Sequence, residues 1–315
     1  MPWFESPDPA PLKGKVVVVT GGALGIGASL VELLYTSGAH VFFGDVLDES
    51  AAQLIERLTD IKSPSEDIPR LAFVRTDVSS YEDNLRLFDA AYSNCGKVDH
   101  AVAAAGIGGK GLLCDEHLTL ESVKEPISTV GVDVNLKGPI YFCRIGSVYL
   151  RQRGESEATI SGPADQKSIT LISSVAGFTE APGIEMYTAS KHGVLGLVRA
   201  LRPTLAKSSP QPIRINAICP WYTQTRMARN VQDHWLKAGL PVNQPMDVAR
   251  IIAGAMIDAT LNGAALFISG GKAWDIEKGI DDLQPQWLGE ENSRAMAKGQ
   301  ELLGDGKMWV TGKRN

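Results

Sequence analysis

Tyr187 and Lys191 stand four residues apart in Tyr187-Thr-Ala-Ser-Lys191, a spacing that puts a phenol and an ammonium on one face of a helix. A phenol is a poor base at its reference pKa of about 10, but a neighbouring cation favours the phenolate and draws that value toward neutrality. Such a pair moves protons at ordinary pH. YxxxK alone also occurs by chance in many helices, so its weight depends on its surroundings. Ser173-Ser174 closes an expected strand thirteen residues before Tyr187, and strand carboxyl ends in an open α/β sheet face the ligand crevice. Hydroxyls there can hydrogen-bond a substrate oxygen. Upstream, Asp133-Val-Asn135-Leu-Lys-Gly138 places an asparagine inside an expected helix, where that residue type is mediocre. Asn135 either serves the site or is an exposed or internally bonded helical side chain.

A second set of residues suits a phosphate. Thr20-Gly21-Gly-Ala-Leu-Gly25-Ile26-Gly27 joins an apolar run to an amphipathic helix. Glycine there allows positive φ and lets backbone N–H groups approach a pyrophosphate at the helix N-terminus. The same glycines would also serve tight helix-on-strand packing. Asp45 ends the next strand 18 residues after Gly27, near the separation of an acid that binds the adenosine ribose hydroxyls. Loop, strand, helix and acid together point to dinucleotide binding. The Asp45 carboxylate would repel a 2′-phosphate, and Leu24 stands where a basic residue could have met one, so NAD is expected rather than NADP. Asp77, followed by Val78, has two readings: a cap for the adenine amino group, or a helix N-cap before Tyr81-Glu82. Ala103-Ala-Ala105-Gly106 closes the fourth strand with side chains small enough to leave room for the cofactor, although plain packing would use similar residues.

The elements that must position these groups alternate as strand and helix from about residue 14 to about residue 270, the pattern of a parallel sheet covered by helices on both faces. Strands are expected at Lys15–Thr20, His40–Asp45, Leu71–Asp77, His100–Ala105, Ser168–Ser173, Ile213–Ile218 and Ala264–Ser269. Lys15-Val-Val-Val-Val-Thr20 is a continuous apolar run, as a strand buried on both sides requires. Ile26, Leu30, Leu33 and Leu34 form a helical stripe after it, with Gly38 as a C-cap. The expected fold is a single Rossmann-like, doubly wound, seven-stranded parallel sheet in an α/β domain. Arg151 to Lys167 reads as a surface insertion, and Trp221 to Pro245 as a long excursion near the strand ends, where long loops are usually functional. Residues 1–11 read as an extended, proline-rich leader, 12–271 as the catalytic domain, and 272–315 as an aromatic C-terminal extension in which the periodic pattern stops.

Composition narrows the classes. The 315 residues are 44% hydrophobic and 21% charged, near the soluble globular average. A formal net charge of −5, without a Lys/Arg stripe, argues against a nucleic-acid partner. No stretch approaches the roughly 18 to 20 apolar residues that span a bilayer, and the N-terminus lacks the features of a secretory signal, so a cytoplasmic protein without membrane association is expected. Cys95, Cys114, Cys143 and Cys219 are scattered, which suits buried free thiols and indicates neither a metal site nor a disulfide framework.

Taken jointly, these residues resemble the short-chain dehydrogenases/reductases, in the branch with a TGxxxGxG cofactor loop and an Asn-Ser-Tyr-Lys active site. The resemblance covers roughly residues 12 to 271. TGxxxGxG matches Thr20 to Gly27, the catalytic Asn matches Asn135, the serine Ser174, and YxxxK Tyr187 and Lys191. The family's NAAG is here Ala103 to Gly106, with alanine for asparagine, which puts one scaffold detail in doubt. Its Pro-Gly-x-x-x-Thr is here Pro220-Trp221-Tyr-Thr-Gln-Thr225. Trp221 in place of glycine either flanks the nicotinamide and a substrate ring or packs on the tail.

The resemblance implies hydride transfer between nicotinamide and a carbinol or carbonyl carbon. Tyr187 would be the general acid/base, Ser174 would hold the substrate oxygen, and Lys191 would lower the Tyr187 pKa and bind the nicotinamide ribose. Asn135 would anchor a water linking Lys191 to solvent, while Thr225 and the backbone past Pro220 would fix the carboxamide. The family usually builds its substrate lid at 221–245, which here holds Trp221, Tyr222, Met227, Trp235 and Leu240. That inventory suits a bulky hydrophobic alcohol or ketone better than a sugar. The chain is similar to short-chain dehydrogenases of fungal secondary metabolism, which act on polyketide or terpenoid alcohols. The family also implies a homodimer or homotetramer through the helices carrying Asn135 and Tyr187. Its scaffold supports non-redox epimerases, lyases and cyclases as well, and, less readily here, an NAD-binding regulatory protein.

Overall fold

Val16 and Val18 face one hydrophobic core and Val17 and Val19 another, so the first strand is buried on both sides and needs its unbroken apolar run. The computed structural model describes residues 8–60, 69–109, 113–152, 166–208, 210–304 and 306. Residues 1–7 of the expected leader, 153–165 of the expected insertion, and Trp309 lie outside them.

The chain runs β1 (Val16–Thr20), α1 (Gly25–Thr36), β2 (His40–Asp45), α2 (Asp48–Asp60), β3 (Leu71–Arg75), α3 (Tyr81–Cys95) and β4 (His100–Ala103). A helical stretch follows as α4 (Val130–Val132), a π-turn (Asp133–Lys137) and α5 (Gly138–Tyr149). Then come β5 (Lys167–Ile172), α6 (Glu185–Ala206), β6 (Ile213–Pro220), α7 (Gln232–Lys237), α8 (Pro245–Ile257), β7 (Ala265–Ser269), β8 (Lys272–Asp275), α9 (Ile276–Leu288) and α10 (Glu290–Leu303).

The sheet order is β3-β2-β1-β4-β5-β6-β7-β8. Every pairing is parallel except β7 with β8. The doubly wound α/β architecture is as expected; the sheet has eight strands, not seven. The added strand is the return arm of a hairpin whose turn, Gly270-Gly271, has positive φ at both positions, the geometry that a two-residue hairpin requires. The regular structure therefore does not stop at Gly271. Phe267 on β7 packs against Trp274 on β8 with ring centroids 5.8 Å apart, and Arg199 of α6 makes a bidentate pair with Glu277 of α9 at 2.9 and 2.7 Å.

The two cores divide the helices. Leu30 and Leu34 of α1 and Ile252 and Met256 of α8 fill one face, while Leu87 and Phe88 of α3, Phe142 of α5 and Val194 of α6 fill the other. Of the four cysteines, Cys143 and Cys219 are buried, Cys95 is intermediate and Cys114 exposed, and all are free; burial is thus not common to them. At the amino ends of the strands, far from the ligand crevice, Asp99 and Lys167 form a fully buried pair at 2.7 Å. His100 beside them bonds Ser168 through Nδ1.

Candidate active site

The crevice at the carboxyl ends of β1, β4, β5 and β6 is where the order reverses between β1 and β4, the position at which open α/β sheets bind ligands. The glycine loop there is a cradle that side chains would fill. A Cβ on Gly21 would sit 2.5 Å from the Ala105 backbone, and one on Gly27 would overlap the Gly21 carbonyl oxygen. Gly21 and Gly25 have φ of 69° and 57°, conformations that glycine adopts without cost. Helix α1 starts at Leu24 with no capping side chain, so the first-turn N–H groups of Gly25, Ile26 and Gly27 are directed at the crevice, as phosphate binding requires. The Asp45 carboxylate accepts from Ala23 N at 3.0 Å, Val46 N at 2.8 Å and Leu47 N at 3.2 Å. This holds it beside the loop at the end of β2. These groups fit the adenosine and pyrophosphate portion of a dinucleotide.

Asp77 is not the cap of α3. Ser80 is, accepting from Asp83 N at 3.2 Å as an N-cap hydroxyl does, while the Asp83 carboxylate accepts from Asp77 N at 2.9 Å. Asp77 instead accepts from Ser79 N and Oγ and stays exposed at the end of β3. The Val78 side chain is buried against Gly138, whose Cβ would stand 3.0 Å from it. The Val78 carbonyl accepts from Asn84 Nδ2 at 2.9 Å.

Across the topological switch, Ser174, Tyr187 and Lys191 come together. Ser173 Oγ donates to the Lys191 carbonyl at 2.8 Å, and Lys191 Nζ donates to the Ile172 carbonyl at 2.8 Å. The end of β5 is thereby stapled to α6. Ser174 follows in extended backbone, is 8% exposed and accepts from Ala176 N through its Oγ at 3.2 Å; its hydroxyl lies near enough to the Tyr187 phenol to favour the phenolate. Lys191 Nζ lies 5.4 Å from the Tyr187 ring centroid. Asn135 is buried in the π-turn, where Nδ2 donates to Ile107 O at 2.9 Å and Oδ1 accepts from Ile107 N at 2.8 Å. The reason for an asparagine in a helix is therefore a clamp on the chain leaving β4. A Cβ on Gly106 would meet Asn135 Oδ1 at 3.3 Å and Lys191 Nζ at 3.6 Å, so both polar groups face the space this glycine leaves.

The electrostatics differ from expectation in one respect. Burial raises the Tyr187 phenol above its ordinary value, and the Ser174 hydrogen bond is what opposes it. Burial likewise lowers the Lys191 ammonium to about 8. The Lys191 Nζ is turned to the Ile172 carbonyl, 5.4 Å from the Tyr187 ring centroid. The Cys219 thiol, buried near Ser173 and Lys191, is pushed up to about 12 and is inert as a nucleophile.

Pro220 is buried at the end of β6, and Thr225 reaches the glycine loop: its Cγ2 is 3.3 Å from where a Gly25 Cβ would be. The aromatic residues of 221–245 pack largely on each other. Trp221 and Tyr222 both contact Trp235 with centroids 5.0 Å apart, and Trp221 also meets Phe267, itself against Trp274. Trp221 therefore packs on Trp235 and on β7 through Phe267, and it is Phe267 that meets Trp274 of the extension. Met227 of the same segment is 54% exposed, with Cγ 3.8 Å from a Cβ position on Gly108 in the chain leaving β4. Ile184 lies 3.5 Å from the corresponding position on Gly109. Sequence reasoning missed Ile184 and Gly108; the pair Gly108-Gly109 in the chain leaving β4 was the available signal.

Among the described residues no helix is long and apolar enough to cross a membrane, and no group of His, Cys, Asp or Glu could hold a metal ion. The family model described as short chain dehydrogenase matches residues 15–235. The chain is 32% identical over 278 residues to the short-chain dehydrogenase/reductase ascJ of Acremonium egyptiacum, covering 88% of this chain and 86% of that one. It is 28% identical over 309 residues to a 5′-hydroxyaverantin dehydrogenase of Dothistroma septosporum, covering 93% and 96%. The structure of a 3-ketoacyl-(acyl-carrier-protein) reductase from Brucella melitensis complexed with NADH superposes with a TM-score of 0.65 at 26% identity, covering 82% and 98%. The resemblance to dehydrogenases of fungal secondary metabolism holds. With the family match spanning the glycine cradle and the Ser174-Tyr187-Lys191 group, this chain belongs to the short chain dehydrogenase family, oxidoreductases that act on CH–OH groups with a nicotinamide cofactor.

Proposed function

We propose that this protein is an NAD-dependent dehydrogenase/reductase of a bulky, hydrophobic secondary alcohol or ketone, polyketide- or terpenoid-like. The observation that carries the reading is the convergence of Ser174, Tyr187 and Lys191 at the end of β5, opposite a glycine cradle whose closeness to the Ala105 and Gly21 backbone leaves no room for a Cβ at Gly21 or Gly27. When bound, the nicotinamide supplies the hydride acceptor or donor. Gly21, Gly25, Ile26 and Gly27 hold the pyrophosphate, Asp45 the adenosine ribose, and Asp77 and the Val78 backbone the adenine. Ala105 and Gly106 leave room for the nicotinamide ribose, and the backbone past Pro220, with Thr225, fixes the carboxamide end. The Asp45 carboxylate supports NAD, since a 2′-phosphate there would meet a like charge.

In oxidation, Tyr187 takes the proton from the substrate hydroxyl while Ser174 holds that oxygen and stabilises its developing charge. In reduction, Tyr187 returns the proton, and the phenol that burial keeps protonated at rest is ready as the acid. Lys191, whose Nζ now donates to the Ile172 carbonyl, would hold the nicotinamide ribose and bring its charge to bear on the phenol. Asn135 Oδ1 and Lys191 Nζ face one small space beside Gly106, through which a water passes the proton to solvent. Met227, Ile184 and Leu240 supply apolar contacts for the substrate, in line with the hydroxyaverantin substrate in the name of one relative.

We assign the chain to the cytoplasm and to a homodimer or homotetramer through the helices that carry Asn135 and Tyr187, where Val130, Ile140 and Val148 are exposed. The catalytic domain is taken as 12–271 with its lid at 221–245, after a leader at 1–11, and the C-terminal extension as 272–315. The test is NADH formation from a panel of polycyclic secondary alcohols, with sugars as controls. Oxidation of the polycyclic set with NAD supports the reading; turnover without a change in nicotinamide absorbance contradicts it.

A further inference from the structure

The segment 221–245 leaves the sheet at the end of β6 and returns to it at the start of α8, and one residue ties both ends down. Asn243 is 0% exposed and makes four hydrogen bonds. Its N–H donates to the Tyr222 carbonyl at 3.0 Å, and its carbonyl accepts from Gln224 N at 2.9 Å. Its Nδ2 donates to the Ile268 carbonyl at 3.0 Å, and its Oδ1 accepts from Gly271 N at 3.0 Å. The backbone pair makes a parallel bridge between Thr223 and Asn243 that closes the segment on itself. The side-chain pair fastens the closure to the end of β7 and to the glycine turn before β8. Inside the loop, Trp235 donates through Nε1 to the Pro241 carbonyl at 2.8 Å and stacks on Tyr222. The outer part of the loop sets Thr225 beside Gly25 and Met227 over Gly108.

We infer that Asn243 is the positioning residue that fixes the clearance between Met227 and Gly108, and so selects which alcohols reach Tyr187. This rests on the dehydrogenase reading for its catalytic readout. Asn243 touches neither the crevice nor Tyr187, so its loss acts on substrate entry and not on proton movement. Truncating this buried amide leaves the Gly271 N–H without its side-chain acceptor and the Ile268 carbonyl with the Trp221 N–H as its donor, a loss of two buried hydrogen bonds, and the loop then loses its fixed height over the crevice.

The experiment compares wild type with Asn243→Ala and with Asn243→Asp, which keeps an acceptor for Gly271 N and loses the donor to Ile268. Steady-state kinetics with the bulkiest and the smallest alcohols that wild type oxidises are expected to show the KM for the bulky one rising about tenfold in Asn243→Ala. The kcat should hold within about threefold. Asn243→Asp should fall between the two. NADH affinity, read by fluorescence, should fall far less than this KM rises, by no more than about threefold, because this loop also sets Thr225 beside the glycine cradle. In parallel, limited trypsin digestion mapped by mass spectrometry follows cleavage after Arg226 and Arg229, which lie exposed on the lid, against Arg57 and Arg86, exposed on α2 and α3. Cleavage at the lid sites should accelerate about fivefold while the controls hold. A merely structural role predicts parallel losses of kcat, NADH affinity and melting temperature, with all four sites cut faster. That pattern, or unchanged lid cleavage in both variants, overturns the inference. If wild type oxidises no alcohol, the dehydrogenase reading fails, and the digestion arm still decides whether Asn243 holds the lid.

Discussion

Asn135 and the peptide of Ile107 exchange two hydrogen bonds, at 2.9 and 2.8 Å, between the π-turn and the chain leaving β4. The clamp keeps Gly106 open beside Lys191. Asn135→Leu removes both partners and leaves two backbone groups unpaired, which costs about 1–3 kcal/mol. We expect a melting temperature lower by several degrees and kcat/KM lower by at least about tenfold, with NADH affinity changed far less, read by calorimetry, kinetics and fluorescence titration.

Gly27→Ala puts a methyl group onto the Gly21 carbonyl oxygen, and backbone rather than a flexible side chain has to yield. The glycine turn and the first turn of α1 then separate. Cofactor binding should be lost below detection in an NADH fluorescence titration, while circular dichroism still reports a folded α/β protein. NADH affinity within about threefold of wild type would remove this loop from the cofactor site.

Asp45→Ala removes a carboxylate that three backbone N–H groups hold at the end of β2. NAD affinity should fall by about tenfold and the NADP-to-NAD ratio should rise, since both a ribose partner and a like charge disappear. Isothermal titration with each cofactor reads the ratio; an unchanged value would take Asp45 out of the ribose site.

His100 is fully buried next to Asp99, and burial lowers its pKa from 6.5 to about 3. The unfolded chain therefore binds a proton that the folded chain refuses between those values, and stability falls as pH drops through that window. This one group contributes at most about 1.4 kcal/mol per pH unit. The Asp99 carboxyl, lowered to about 2, adds a loss below its own unfolded value of 3.8. Urea unfolding at pH 7 and pH 5 should show a decline that His100→Asn reduces; equal slopes in the two proteins would contradict the assignment.

The parts of the fold that were legible were those written as apolar runs or glycine turns. Val16 to Val19 can only be a strand buried on two sides, and the Gly21-Gly25-Gly27 cradle follows from where side chains would clash. The strand β8 escaped notice because Lys272-Ala-Trp-Asp275 is short and half-exposed, although Gly270-Gly271 marked its hairpin. Of the two readings of Asp77 the helix cap falls away because Ser80 caps α3. The residue types of the site were readable in order, but the direction of the Lys191 amine was not. Whether Nζ reaches toward the phenol or the Ile172 carbonyl depends on packing between α6 and β5, which no local pattern encodes. The lid aromatics misled in the same way: Trp221, Tyr222 and Trp235 largely satisfy one another, leaving Met227 beside Gly108.

The sharpest test is the Tyr187→Phe protein, measured for NADH formation with an alcohol that wild type oxidises and for NADH affinity by fluorescence. Removing one hydroxyl should lower kcat/KM by at least about a thousandfold, in keeping with loss of the group that transfers the proton, while NADH affinity stays within about twofold. Turnover at the wild-type rate would contradict Tyr187 as the acid/base, and with it the proposed chemistry of this site.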